Sequence, residues 1–206
     1  MKSPVITTII FDLGGVLIDW NPDYVFDKLF EGRPGDKQYF YEQICTSEWN
    51  EEQDAGRSLR EATQLLVDRH PGWKEPIEAF YGRWEEMLGG PIEGTVDLFR
   101  ELRDSGRYRL YALSNWSAET FPVALDRYEF LHWFHGRVVS GEEKMRKPFP
   151  QFYGLLLDRF GLQPHEAFFI DDNERNVKAA EALGIRSHRF TSPDALRAAL
   201  QQEGLL

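Results

Sequence analysis

Residues 9–19 read IIFDLGGVLID: an apolar run stops at one carboxylate, Asp12, and a glycine pair follows at Gly14 and Gly15. A buried strand that ends in an acid and a glycine-rich turn sets that acid at the strand's carboxyl end, where open α/β sheets bind their ligands. Asp12 is the first candidate for chemistry.

The strand run itself covers 5–11, and comparable short runs recur at 109–113, 138–139, 167–170 and 185–190. Helical patterns fill the gaps. Residues 95–104 end ahead of Gly106, 148–160 open on proline and stop at Gly161, and 173–183 stop at Gly184. Ser192 and Pro193 then supply a cap and a first turn. Strands alternating with helices predict an α/β fold, a doubly wound, Rossmann-like parallel sheet flanked by helices.

Residues 20–90 break this rhythm. They hold no convincing strand but carry helical patterns at 24–30, 58–69 and 77–88, and close on Gly89, Gly90 and Pro91. The expected organisation is a catalytic core of residues 1–19 and 91–206, with a small helical cap domain, 20–90, inserted after the first strand and hinged at 89–91.

The whole chain has 206 residues, enough for one core and a small accessory unit. Its 34 acidic residues outnumber 24 basic ones, so its global field repels nucleic acid and anionic membranes. No run approaches the 18 or so apolar residues of a membrane span, and the N-terminal run has no small-residue cleavage site. The single cysteine, Cys45, has no partner for an intramolecular disulfide, which fits a reducing compartment. A cytoplasmic protein, monomer or homodimer, is expected.

Four short signals fall at strand ends or just ahead of a helix: Asp12 with Leu13, Gly14 and Gly15; Ser114 with Asn115; Lys147 before Pro148; and the acidic pair Asp171 and Asp172. Parallel strands bring their carboxyl ends together, so these groups converge on one crevice. An ionised Asp12 can attack phosphorus. Ser114 and the Asn115 amide can donate to phosphoryl oxygens, and Lys147 supplies positive charge as the transition state develops. Leu13 and Gly14 join Ser114, Asn115 and Lys147 as candidate phosphate contacts. Three neighbouring carboxylates repel one another unless a hard cation sits among them, and Mg²⁺ prefers oxygen ligands. The expected partner is a small phosphorylated substrate.

In order and along nearly the whole chain, these motifs resemble those of the haloacid dehalogenase superfamily. The strings LSN, MRKP and FFIDDNERNVKAAEALGI resemble most its subfamily of sugar-phosphate phosphatases, which includes alpha-D-glucose-1-phosphate phosphatase. The resemblance implies Asp12 as nucleophile and Lys147 as the catalytic cation. It implies a Mg²⁺ held by the Asp12 carboxylate, the Gly14 main-chain carbonyl and chiefly Asp172, with Asp171 direct or one step removed. Asn176 would brace that loop.

The chain departs from the resemblance at Gly14, where such phosphatases carry a second Asp as general acid and base. A general acid or base contributes about 10² to 10⁴ in rate. Either the substrate has a good leaving group, or another acid substitutes, with Asp19, Glu48, Glu51 and Asp54 in reach by sequence, or the enzyme is slow on alkyl phosphates. A 2-haloacid dehalogenase, which also lacks that acid, and a non-catalytic binding protein are the competing readings. Among the aromatics of the insert, expected mainly in its core, Trp49 lies in the polar string SEWNEEQDAG. It and Asp19 are further candidates for substrate contact. The five histidines show no ligand spacing.

Overall fold

A computed structural model describes residues 5–206, so residues 1–4 of the expected core lie outside the described residues. Five parallel strands form the main sheet: β1 (Thr8–Phe11), β4 (Arg109–Ser114), β5 (Gly136–Val139), β6 (Ala167–Asp171) and β7 (Arg186–Arg189). Their spatial order is β5-β4-β1-β6-β7. β1 is central, paired to β4 with Phe11 opposite Ala112 and to β6 with Phe11 opposite Ile170. All four of its residues are buried, as a strand covered on both faces requires.

The period of two decides which layer each side chain joins. Ile9 and Phe11, with Leu110, Ala112, Phe168 and Ile170, pack against α6 (Glu93–Asp104), α7 (Phe121–Arg127) and α11 (Pro193–Gln202). Ile10, Tyr111, Leu113 and Phe169 face the other way, onto α9 (Pro150–Phe160) and α10 (Glu174–Ala182). The chain is thus an α/β protein with helices on both faces of a parallel sheet. Local signals end the helices: Gly161 takes the left-handed conformation after α9, and the Ser192 hydroxyl accepts from the Ala195 N–H at 3.2 Å to cap α11.

Between β1 and α6 lies the helical insert: α1 (Asp23–Leu29), α2 (Pro34–Tyr39) running on into a π turn, α3 (Ser47–Asp54), α4 (Leu59–Arg69) and α5 (Lys74–Gly82). Two strands that the sequence reading missed form its stem. β2 (Ile18–Trp20) pairs antiparallel with β3 (Leu88–Pro91). They are three and four residues long and β3 reads LGGP, so neither carries a strand period. Inside the insert Phe26, Phe30, Phe40 and Phe80 are buried, with Phe26 and Phe40 ring centroids 4.8 Å apart. This apolar cluster continues without a break into the sheet layer formed by Ile9 and Phe11.

Candidate active site

The loops that leave β1, β4 and β6, with the loop ahead of α9, place the four signals around one point. Asp12 follows Phe11 and is pinned to the neighbouring strand by its N–H, which donates to the Ile170 carbonyl at 2.8 Å. Its Oδ1 accepts from the Leu13 N–H at 2.8 Å, from Ser114 Oγ at 2.9 Å and from Lys147 Nζ at 2.9 Å. Oδ2 accepts no hydrogen bond recorded among the described residues, so it is the oxygen left for phosphorus or a cation. Three donors on one oxygen fix the carboxylate plane, an arrangement that would suit a nucleophile.

Lys147 is fully buried, and Nζ reaches Asp171 Oδ2 at 2.6 Å as well as Asp12. Asn115 holds the Lys147 segment: its Nδ2 donates to the Lys147 carbonyl at 3.0 Å and its Oδ1 accepts the Lys147 N–H at 2.8 Å. The Asn115 side-chain amide thus braces the lysine loop through its oxygen and one of its two N–H groups, and Asn115 also lines the crevice. The Leu13 N–H is likewise used on Asp12, and its side chain lies in the core.

The acidic pair divides by hydrogen bonding. Asp171 is fully buried and accepts from Lys147, from the Asn173 N–H at 2.8 Å, and from Asn176 Nδ2 on both oxygens at 3.0 and 3.1 Å. Asp172 is exposed to the crevice, and its carboxylate lies where a Cβ on Gly15 would come within 2.6 Å of Oδ2. Gly15 has φ of 74°, so the turn needs glycine twice over, for backbone conformation and for the approach of Asp172. Gly14 differs, since a Cβ added there meets nothing within 4 Å.

Asp12, Asp171 and Asp172 each offer an oxygen within 4.8 Å of the others. With Lys147 as the single ammonium among them, the cluster keeps a net negative charge that burial penalises. Burial, with Asp171 and Asp172 adding repulsion, pushes the Asp12 carboxyl up to about 8 against the pull of Lys147. Burial likewise pushes Asp172 up, with repulsion from Asp171 adding to it. The attraction of Asp12 and Asp171 holds the Lys147 ammonium above its ordinary value although desolvation opposes it. The two shifts agree: the lysine keeps its proton, and what the cluster lacks is one more positive charge. A hard divalent cation bound by carboxylate oxygens fits this donor set, with Asp12 and Asp172 open to it and Asp171 saturated by protein donors.

The crevice above this cluster encloses about 700 Å³ when the solvent at its open mouth is counted. The core lines it with Asp12, Gly14, Gly15, Asn115, Trp116 and Asp172. The β2 stem adds Trp20, and the insert adds Asn50, Asp54, Tyr81 and Trp84. Two residues proposed from sequence lie elsewhere. Asp19 on β2 accepts from the Tyr24 hydroxyl, outside the crevice wall. Trp49 packs edge-on against Phe80 at 5.3 Å, inside the aromatic core of the insert. Trp84 and Trp116, whose rings meet at 5.7 Å in the wall, carry no sequence motif that singles them out.

A strand-end carboxylate, a buried lysine and an acidic pair on this sheet order suit a hydrolase, and comparison with known proteins agrees. Residues 6–184 match the haloacid dehalogenase-like hydrolase family, and the chain belongs to it. Its relatives include the sesquiterpene phosphatase astK of Aspergillus oryzae, 28% identical over 209 residues that cover 94% of both chains. They also include the drimenol cyclase drtB of Aspergillus calidoustus, 25% identical, of which this chain spans only 35%. Among solved structures, the wild-type enzyme bt-2542 of Bacteroides thetaiotaomicron, in complex with magnesium and inorganic phosphate, superposes with a TM-score of 0.66. It is 26% identical, and the match covers 91% of this chain and 95% of that one. The chain is a hydrolase with phosphatases among its relatives.

Proposed function

We propose that the protein is a Mg²⁺-dependent phosphatase of a small phosphorylated metabolite, with a sugar phosphate the first candidate, acting in the cytoplasm through an aspartyl-phosphate on Asp12. The observation that carries this reading is the geometry at Asp12: one oxygen held by Leu13, Ser114 and Lys147, the other free and facing the crevice. The magnesium and phosphate in the bt-2542 complex and the phosphatase relatives support it.

In this reading Asp12, Asp172 and the Gly14 main-chain carbonyl hold the metal, and Asp171 keeps Lys147 and the loop in place. Bound Mg²⁺ supplies the positive charge that lets an anionic nucleophile approach an anionic phosphate. The free oxygen of Asp12 attacks phosphorus while Ser114 and Lys147 stand beside the developing charge. The segment 20–90 acts as the cap, closing the crevice with Trp20, Tyr81 and Trp84 against the body of the substrate and excluding water from the reacting phosphoryl group.

Phosphate release over a panel of sugar, nucleotide and aryl phosphates, with and without Mg²⁺, tests this. The Asp12→Asn protein is expected to lose roughly 10³-fold or more of kcat. Full phosphate release by that variant would end the aspartyl-phosphate mechanism. Glycine at position 14 is the one feature that favours a dehalogenase, and chloride release from 2-chloropropionate in EDTA would reverse the ranking.

A further inference from the structure

We propose that Asp54, presented to the crevice from the end of α3, is the general acid and base of the reaction, standing in for the carboxyl that position 14 lacks; the proposal rests on the phosphatase reading above.

Geometry separates Asp54 from the other acids that sequence puts in reach. Asp19 lies outside the crevice wall and takes the Tyr24 hydroxyl. Glu48 is exposed at the start of α3, and backbone and Thr46 hydrogen bonds hold its carboxyl below the usual range. Glu51 is clamped between two guanidiniums of the core, Arg146 at 2.8 Å and Arg175. Asp54 lines the same cavity wall as Asp12, Gly14 and Asp172. The Arg146 guanidinium that faces it is engaged by Glu51, and the Asn50 amide reaches its Oδ2 only at 3.4 Å, a weak contact. Among the described residues its carboxyl is thus held only by that contact and by the Ser117 main chain, on the wall of the crevice that Asp12 also lines.

The backbone at Gly14 complements this. A Cβ there would meet nothing within 4 Å, so the space a local acid would fill is open to a group arriving from across the crevice. Burial, with Glu51 close by, pushes the Asp54 carboxyl up to about 7, against the pull of Arg146, Lys147 and the Ser117 main chain. A carboxyl that titrates near neutrality can both give a proton and take one back.

The step balances without any further reactant. As the Asp12 oxygen bonds to phosphorus, the bond to the leaving oxygen breaks. That oxygen keeps the electron pair and takes the proton from Asp54. The Asp54 carboxylate then takes a proton from water as the water oxygen bonds to phosphorus and the bond from phosphorus to the Asp12 oxygen breaks, the electron pair staying on Asp12. Inorganic phosphate leaves, and both carboxyls return to their starting states.

The test measures kcat/KM for wild-type protein and Asp54→Asn, both with Mg²⁺, over aryl phosphates of graded phenol acidity plus one alkyl phosphate. With an acid in place, wild-type rates depend weakly on the leaving group. In Asp54→Asn the loss is expected to grow from a few-fold for 4-nitrophenyl phosphate to about 10² to 10⁴ for the alkyl ester. The variant should also give a burst of nitrophenol, because hydrolysis of the phosphorylated Asp12 slows. Adding Gly14→Asp to Asp54→Asn should restore the alkyl ester selectively. A merely structural role for Asp54 predicts neither the graded loss nor the rescue. Equal losses along the series, with the melting temperature unchanged, would overturn the proposal. Failure of the wild-type protein on every ester would instead overturn the phosphatase reading, and this role with it.

Discussion

Around Asp12, charge rather than shape sets the conditions under which the site works. Its carboxyl titrates at about 8 when no cation shares the site, well above the ordinary 3.8. A carboxyl raised in the folded state contributes stability below its unfolded value, and that contribution is lost as pH rises through the folded value. Asp54, at about 7, acts in the same direction. Burial holds His188 below its ordinary value near 6.5, so its protonation on unfolding costs stability as pH falls below that point. Between about 6.5 and 8 the carboxyls therefore decide the slope. In EDTA the melting temperature is expected to fall across this window. Saturating Mg²⁺ should raise it more at pH 8 than at pH 6.5, because a cation and a proton compete for Asp12. At a hundredfold excess over its Kd the metal contributes about 2.7 kcal/mol. Thermal melts at the two pH values, with and without Mg²⁺, check this.

At the scale of elements, the turn after β1 carries two adjacent glycines with different demands on them. Gly15 has φ of 74° and faces Asp172 at a distance no Cβ tolerates. Gly15→Ala should cost roughly 1–2 kcal/mol from the left-handed backbone alone, and should weaken Mg²⁺ binding further as Asp172 is displaced. Gly14→Ala meets open space, so its melting temperature and metal affinity should stay near wild type. Isothermal titration with Mg²⁺ on the two variants separates the cases. α3 offers three candidate acids to the sequence reading but no sign of which one turns inward. Its sequence SEWNEEQD is almost wholly polar, so no apolar period marks a helix or says which face turns inward. The one local signal is Thr46, whose hydroxyl accepts the Trp49 N–H at 3.2 Å as a cap.

Across the whole molecule, the insert and the core are tied by polar contacts as well as by the shared apolar cluster. Glu51 of α3 pairs with Arg146 and Arg175, Glu119 accepts the Leu59 N–H at 2.8 Å, and Arg127 pairs with Glu85. The Glu51 and Arg146 side chains are only 19% and 15% exposed, so water screens this pair less than an open surface pair. Neutralising Glu51 with Glu51→Gln should loosen the register of α3 on the core by about 1 kcal/mol, or roughly fivefold in kcat/KM. The loss should be larger for substrates with poor leaving groups, since Asp54 rides on the same helix. Steady-state kinetics alongside a thermal melt separates this from general destabilisation.

The sequence by itself determined the parallel sheet and the residues gathered at its carboxyl edge. Each such signal is local: an apolar run, a stop at an acid or hydroxyl, and a glycine or proline that opens the next turn. The parallel strands and their register then bring Asp12, Ser114 and Asp171 together, and the buried Lys147 loop completes the set. Only the tertiary structure decided how the donors are shared, with Asp171 saturated, Asp172 open and the Asn115 side chain turned to the Lys147 loop. It also decided the stem formed by β2 and β3, and that Asp54 of the insert lines the crevice. Those outcomes depend on contacts between segments far apart in the chain. The orientation of a polar helix such as α3 is set by what it packs against, and no pattern within its own residues records it.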